Sequence, residues 1–299
     1  MRPLRPVKRH ERAGPLPSAH PGARSAKGSP VSTLLHISDT HFGTEQPPVV
    51  EALVSLALQQ RPSAVVLSGD ITQRARPAQF QAARDFVRRL GAPVLAIPGN
   101  HDIALFDLWA RLRQPYARYA AAFGSELEPV HASAGFLLIG VNTTRAWRHK
   151  NGEVSQAQID RVARQLASAS PEQLRVVVVH QPAAVTQAVD RPNLLRGHAQ
   201  ALQAWAEAGA DLVMGGHIHL PFTLALQGLA RRLWVVQAGT AVSTRTRSET
   251  PNSVNLVRWG TALPSPAERG SCVIERWDYA LLDQAFVRAD VTRVEPQRT

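Results

Sequence analysis

The chain has 299 residues, of which 44% are hydrophobic, with a net charge of +11 and a single cysteine. That length can bury a sizeable core, as one large domain or two small ones. The lone Cys272 excludes an internal disulfide and thiolate metal clusters and fits a reducing compartment. No apolar run reaches the roughly 18 residues that a membrane helix needs.

The charge is unevenly placed. Residues 1–30 carry Arg2, Arg5, Lys8, Arg9, Arg12, Arg24 and Lys27 against Glu11 alone, so over half of the excess sits in a leader rich in Pro, Gly, Ser and Ala. This stretch has no apolar h-region, so it is not a secretory signal, and a cytoplasmic location is expected. Its composition cannot support a core, and a disordered basic leader is predicted. A tether for nucleic acid or another anionic surface is the alternative.

Order is expected from Val31. Thr33 to Ile37 reads as a strand, followed by Asp39 and His41. Residues two apart in extended chain point the same way, so both side chains can reach one point. His36, inside the strand, reads as a structural histidine. Val50, Leu53, Val54 and Ala57 follow helical spacing, and Arg61-Pro62 ends that helix. Ala64 to Leu67 is the next strand, closed by Gly69-Asp70; Asp70 has two oxygens and could bridge two ions. A helix over about residues 78–90 leads to the strand Val94 to Ile97 and then to Pro98-Gly99-Asn100-His101-Asp102. A turn of this kind, at the carboxyl end of a buried strand, is where open α/β sheets place ligands.

The segment 104–130 reads as mostly helical. Phe136 to Val141 is a strand, and the following loop carries Arg145, Arg148, His149 and Lys150, which could hold an anionic substrate. Ser155 and Gln158 form a capping box for the next helix. The four valines 176–179 read as a strand buried on both faces, ending at His180. A helix with Leu202, Trp205 and Ala206 facing inward precedes the strand 211–214, which runs into Gly215-Gly216-His217-Ile218-His219. Beyond Leu233 the pattern changes to strands without helices: 233–237, 253–259 and 272–277. Residues 261–270 read as a turn-rich loop, and the last few residues are expected to fray.

Five loops that follow apolar strands thus hold ligand-type side chains, including five of the eleven histidines. The donors are all nitrogen and oxygen, which suits manganese, iron or zinc. Seven of them exceed one open catalytic site and suit two ions about 3.5–4 Å apart.

The blocks Asp39-Thr-His41, Gly69-Asp70, Gly99-Asn100-His101-Asp102, His180 and Gly216-His217-Ile-His219 resemble, in order, those of the calcineurin-like metallophosphoesterases. The resemblance covers roughly residues 34–220. It implies a four-layer αββα sandwich, with a catalytic domain over 31–244 and C-terminal strands over 245–299 that complete or cap it. It assigns one ion to Asp39, His41, Asp70 and His219, and a second to Asp70, Asn100, His180 and His217. Two such ions would activate a water to attack phosphorus. The resemblance places His101 outside the metal shell, as phosphate stabiliser or leaving-group acid, with Asp102 orienting it.

Protein serine/threonine phosphatases of this fold read Gly-Asp-x-x-Asp-Arg-Gly and Gly-Asn-His-Glu, which this chain does not match. Gly69-Asp-Ile-Thr, Ile97-Pro-Gly-Asn-His-Asp and the segment Gly152 to Gln158 are most similar to bacterial class III cyclic nucleotide phosphodiesterases. Two departures are His180-Gln181-Pro182, where such enzymes often read His-His-Pro, and Val141-Asn-Thr in place of Leu-Asp-Ser. The expected substrate is a small phosphodiester such as cyclic AMP. The alternatives on the same metals are a nuclease and a UDP-diacylglucosamine hydrolase. A non-catalytic scaffold, like the retromer subunit of this fold, is disfavoured because all seven ligands are intact. The sequence leaves an oligomer open.

Overall fold

The computed structural model describes residues 31–104, 108–148, 150–247, 249–260 and 271–297. The basic leader, His149, the loop 261–270 and the final two residues lie outside the described residues.

Two six-stranded sheets face each other. The first contains β1 (Ser32–Ile37), β2 (Ala64–Leu67), β3 (Val94–Ala96), β10 (Ser253–Trp259), β11 (Cys272–Ala280) and β12 (Ala285–Val294), in the order β12-β11-β10-β1-β2-β3. The second contains β4 (Val130–Ala132), β5 (Phe136–Gly140), β6 (Leu174–Val178), β7 (Leu212–Gly215), β8 (Phe222–Ala225) and β9 (Trp234–Gln237), in the order β4-β5-β6-β7-β9-β8. Both sheets are mixed: in the first, β1, β2 and β3 pair in parallel at one side and the other pairs are antiparallel, and in the second, parallel pairs from β5 to β9 are flanked by antiparallel edges.

The layering follows from the period of two along each strand. Leu34, Val66, Leu95 and Val257 point between the sheets and meet Phe136, Leu138, Val176, Val178 and Met214. Leu35, Val65, Leu67 and Leu256 point the opposite way, under α1 (Pro47–Gln60) and α2 (Pro77–Arg88). On the other side Val177, Val179 and Val213 face α5 (Gln156–Ala167) and α6 (His198–Glu207). The four valines therefore split between two cores, as a strand covered on both faces must. The result is the expected αββα sandwich. The capping box is present: Gln158 N donates to Ser155 Oγ at 3.3 Å, and Ser155 N to Gln158 Oε1 at 3.0 Å.

Segment 104–130 departs from the helical expectation. Among its described residues only α3 (Leu108–Arg113) and α4 (Ala117–Phe123) form, and the largely exposed strand β4 follows. Pro115 lacks the N–H that would continue α3, and Gly124, at φ +98°, ends α4. Strand β8, which the pattern did not reveal, is a partly exposed edge paired with β9. No helix among the described residues is long and apolar enough to cross a membrane.

Candidate metal centre

The loops after β1, β2, β3, β6 and β7 meet at one end of the sandwich. Backbone bonds lock the first two together: Asp39 N donates to Gly69 O at 3.1 Å, and His41 N to Asp70 O at 3.0 Å. The Asp39 carboxylate accepts from His217 N at 2.9 Å, joining a loop of one sheet to a loop of the other. Asp70 Oδ1 accepts from His101 N at 2.8 Å, which fixes the β3 loop.

This convergence strains the backbone. Asp39, His41, Asp70, His217 and His219 all have φ between 42° and 75°, the left-handed region that non-glycine residues rarely occupy. Such conformations cost of order 1–3 kcal/mol each and persist where surrounding structure over-determines them. Two glycines permit the approach. A methyl group on Gly99 would collide with the backbone nitrogen of Asp70, and one on Gly216 with Ser38 Oγ.

The donor atoms gather in two groups that share Asp70. One is Asp39, His41, Asp70 and His219, and the other is Asp70, His180 and His217; within each, the donor atoms lie within 4.8 Å of one another. Asn100 Oδ1 sits 3.2 Å from His180 Nε2, beside the second group. His180 donates through Nδ1 to Ser68 O at 2.8 Å, which turns Nε2 toward Asp70 Oδ1, 3.2 Å away. His219 Nδ1 donates to Arg245 O, leaving Nε2 to face Asp39 Oδ1 at 3.3 Å. Fixing one ring nitrogen so that the other is presented is how metal-binding histidines are oriented.

Several features fit a pair of cations. His41 Nε2 and His219 Nε2 face each other at 3.3 Å. His41 Nδ1 and both ring nitrogens of His217 are buried without a hydrogen-bond partner. Burial pulls His41 and His217 down to about 3, so both rings are neutral and carry a lone pair for a ligand. Burial raises the Asp39 carboxyl, yet the neighbouring His219 and His180 outweigh it and hold that group below the usual carboxylate range. Buried carboxylates and neutral imidazoles together make a nitrogen and oxygen donor set.

Asp102 corrects the sequence-based role. Its carboxylate does not meet the His101 ring. It accepts from Gly99 N at 2.8 Å, Ile71 N at 3.0 Å, Thr72 N at 2.8 Å and Thr72 Oγ1 at 2.9 Å, stapling the β2 and β3 loops. The His101 ring is held instead by the Gln73 carbonyl, 2.9 Å from Nδ1. Asp102→Asn would turn an amide NH2 toward these donors. It is expected to lower unfolding free energy by about 2–4 kcal/mol in urea titrations. Lost turnover with unchanged stability would restore an orienting role.

Of the proposed anion-holding loop, Arg145 is committed to the carbonyls of Asn142 and Thr144 and to Gln158, and Arg148 to Glu153 at 2.7 Å. Neither lines the pocket at the donor cluster. That cavity, of about 460 Å³, is bordered instead by Lys150, Asp190, Asn193, Arg245 and Arg247. The His-Gln-Pro departure supports this loop: Gln181 is buried, accepts from Thr143 Oγ1 at 2.6 Å and donates to the Lys150 carbonyl at 3.2 Å. His36 is a structural residue, buried between Ser68 and Asn255.

Fold and site together define a double-sheet sandwich that carries a His/Asp cluster suited to two metal ions. The chain belongs to the calcineurin-like phosphoesterase family, whose model matches residues 32–221. Over 80 residues it is 41% identical to a glycerophosphodiester phosphodiesterase of Enterobacter lignolyticus, covering 23% of this chain and 29% of that protein. It is 26% identical over 219 residues to a cAMP/cGMP dual-specificity phosphodiesterase of Mycobacterium tuberculosis, covering 67% of this chain and 65% of that one. The chain thus spans less than two thirds of the length of either relative. A dimetal phosphatase from Danio rerio superposes with a TM-score of 0.65 at 15% identity, over 90% of this chain and 100% of that one, a likeness of fold.

Proposed function

We propose that this chain hydrolyses a small phosphodiester, with a cyclic nucleotide such as cyclic AMP as the favoured substrate. The observation that carries the reading is the pair of donor groups joined through Asp70, with His101 beside them at the mouth of a pocket. Asp39, His41, Asp70 and His219 would hold one cation, and Asp70, Asn100, His180 and His217 the other. Manganese, iron and zinc all suit these donors. Bound cations would supply Lewis-acid polarisation of the phosphoryl oxygens and of an attacking water.

The protein's own part is positioning and proton handling. In the reaction, water adds to phosphorus, the ester P–O bond breaks, and the leaving oxygen takes a proton. His101 Nδ1 donates to the Gln73 carbonyl, so Nε2 is the nitrogen that can serve the phosphate or leaving group. The His101 ring packs edge-on against His41, with centroids 4.9 Å apart, next to where the substrate phosphate would bind. The cavity of about 460 Å³ falls within the roughly 300–1,000 Å³ usual for small-molecule sites.

The cyclic nucleotide reading draws on the mycobacterial relative's specificity. A second reading has its own support. Ile218 is the apolar residue in an otherwise polar lining, and the enterobacterial relative acts on glycerophosphodiesters. A polar diester without a base would suit such walls. A hydrolysis panel of cyclic AMP, glycerophosphocholine, bis(p-nitrophenyl) phosphate, single-stranded DNA and UDP-diacylglucosamine, with added manganese, tests both. Turnover of cyclic AMP above the others is expected. Preference for glycerophosphocholine would favour the second reading, and cleavage of DNA alone would overturn both.

A further inference from the structure

The loop after β9 brings Arg245, Thr246 and Arg247 to the cavity at the donor cluster, and nothing in the ligand motifs accounts for it. Three cationic side chains border the cavity: Lys150, Arg245 and Arg247. They are not equivalent. Arg247 is neutralised, with NH1 on both Asp190 oxygens at 3.0 and 2.8 Å and NH2 on Gln187 Oε1 at 2.8 Å. This ion pair ties the loop to the 3-10 helix Ala188–Asn193. Lys150 is exposed on the loop before Asn151.

Arg245 differs from both. It is half-buried, and NH1 of its guanidinium lies 3.0 Å from Gln73 Oε1 and 3.3 Å from His101 Nε2. Among the described residues it has no carboxylate partner, and Nε and NH2 make no hydrogen bond. A partly desolvated cation without a counter-charge, facing a cavity that receives phosphate, has an anion as its natural partner. The planar fork of a guanidinium matches the spacing of two phosphate oxygens. The Gln73 and His101 contacts hold one edge of the fork and leave the other edge available.

The same residue also serves the cluster through its backbone. Its carbonyl receives His219 Nδ1–H and Thr240 Oγ1–H. A carbonyl survives any substitution, so removing the guanidinium need not disturb His219. The two contributions can therefore be separated.

We propose that Arg245 is a catalytic residue whose guanidinium binds the phosphoryl oxygens of the substrate, next to His101 and outside the metal shell. This rests on the phosphoester-hydrolase reading above. In the ground state it would orient the phosphate. In the transition state it would meet the negative charge that grows on the equatorial oxygens.

The test uses the full chain loaded with manganese, and the variants Arg245→Ala and Arg245→Lys. Inorganic phosphate is the binding probe, followed by calorimetry, and metal content is measured by elemental analysis. Arg245→Ala should keep the wild-type metal content and bind phosphate about 10- to 100-fold more weakly, the range for losing a hydrogen bond to a charged group. Its kcat should fall, and added guanidinium should restore part of it. Arg245→Lys, with charge but no fork, should fall between the two. Unchanged phosphate affinity in Arg245→Ala would overturn the proposal. So would loss of metal in both variants, which would make the residue a support for His219 alone. If the wild type cleaves no diester yet binds phosphate through Arg245, the substrate reading fails while the phosphate contact of Arg245 stands without its catalytic role.

Discussion

Asp70→Ala is expected to abolish activity and to empty both metal positions at once. Asp70 is the residue common to the two donor groups. It is buried at 2% exposure, and each oxygen faces a different histidine: Oδ1 lies 3.2 Å from His180 Nε2, and Oδ2 lies 3.8 Å from His41 Nε2. Among the described residues Asp70 is the one carboxylate of the second group, so removing it leaves Asn100, His180 and His217 without an anionic ligand. Metal assistance is worth several kcal/mol of transition-state stabilisation, and at about 1.4 kcal/mol per tenfold the loss is at least about 10³ in rate. Elemental analysis of the dialysed variant checks this. A full complement of metal would mean that Asp70 is not the bridge. The variant also loses the Asp70 Oδ1 bond to His101 N, so a folding check by circular dichroism belongs with it.

His101→Ala should behave oppositely. The ring lies outside both donor groups, held by Gln73 and Arg245. Its removal deletes a proton-handling group while every metal donor stays, so metal content should match the wild type. A positioned acid or base contributes about 10²–10⁴-fold, and kcat should fall by that factor. The loss should be smaller for a substrate with a good leaving group, such as bis(p-nitrophenyl) phosphate, if His101 protonates the leaving oxygen. An equal loss on all substrates would assign it to charge stabilisation. Unchanged turnover would remove it from the reaction.

Much of the frame was legible because it rests on local periodicity. The valines 176–179 declared a strand covered on both faces, and alternate residues do enter different cores. The donor cluster was legible because its residues sit at strand ends, with Asp39 and His41, and His217 and His219, two apart along the chain. The structure gathers six of them from four loops and sets Asn100, from a fifth, beside His180. What was not legible depended on contacts distant in sequence. Arg245 stands 144 positions from His101, in a loop with no helical or strand pattern. Asp102 neighbours His101 in sequence, but its turn folds it back onto backbone donors of Ile71 and Thr72, which are 31 and 30 positions away. Arg145 and Arg148 looked available for a substrate because charge alone does not reveal that Gln158 and Glu153 occupy them. The segment 104–130 has helical composition, yet Pro115 and Gly124 bound two short helices of six and seven residues there.

The central claim is that loops from both sheets close around two cations with Asp70 between them. Diffraction at the manganese absorption edge, from crystals grown with that ion, tests it directly. Two anomalous peaks about 3.5–4 Å apart are predicted, one beside His41 and His219 and the other beside His180 and His217. A single peak, or peaks lodged away from Asp70, would contradict it.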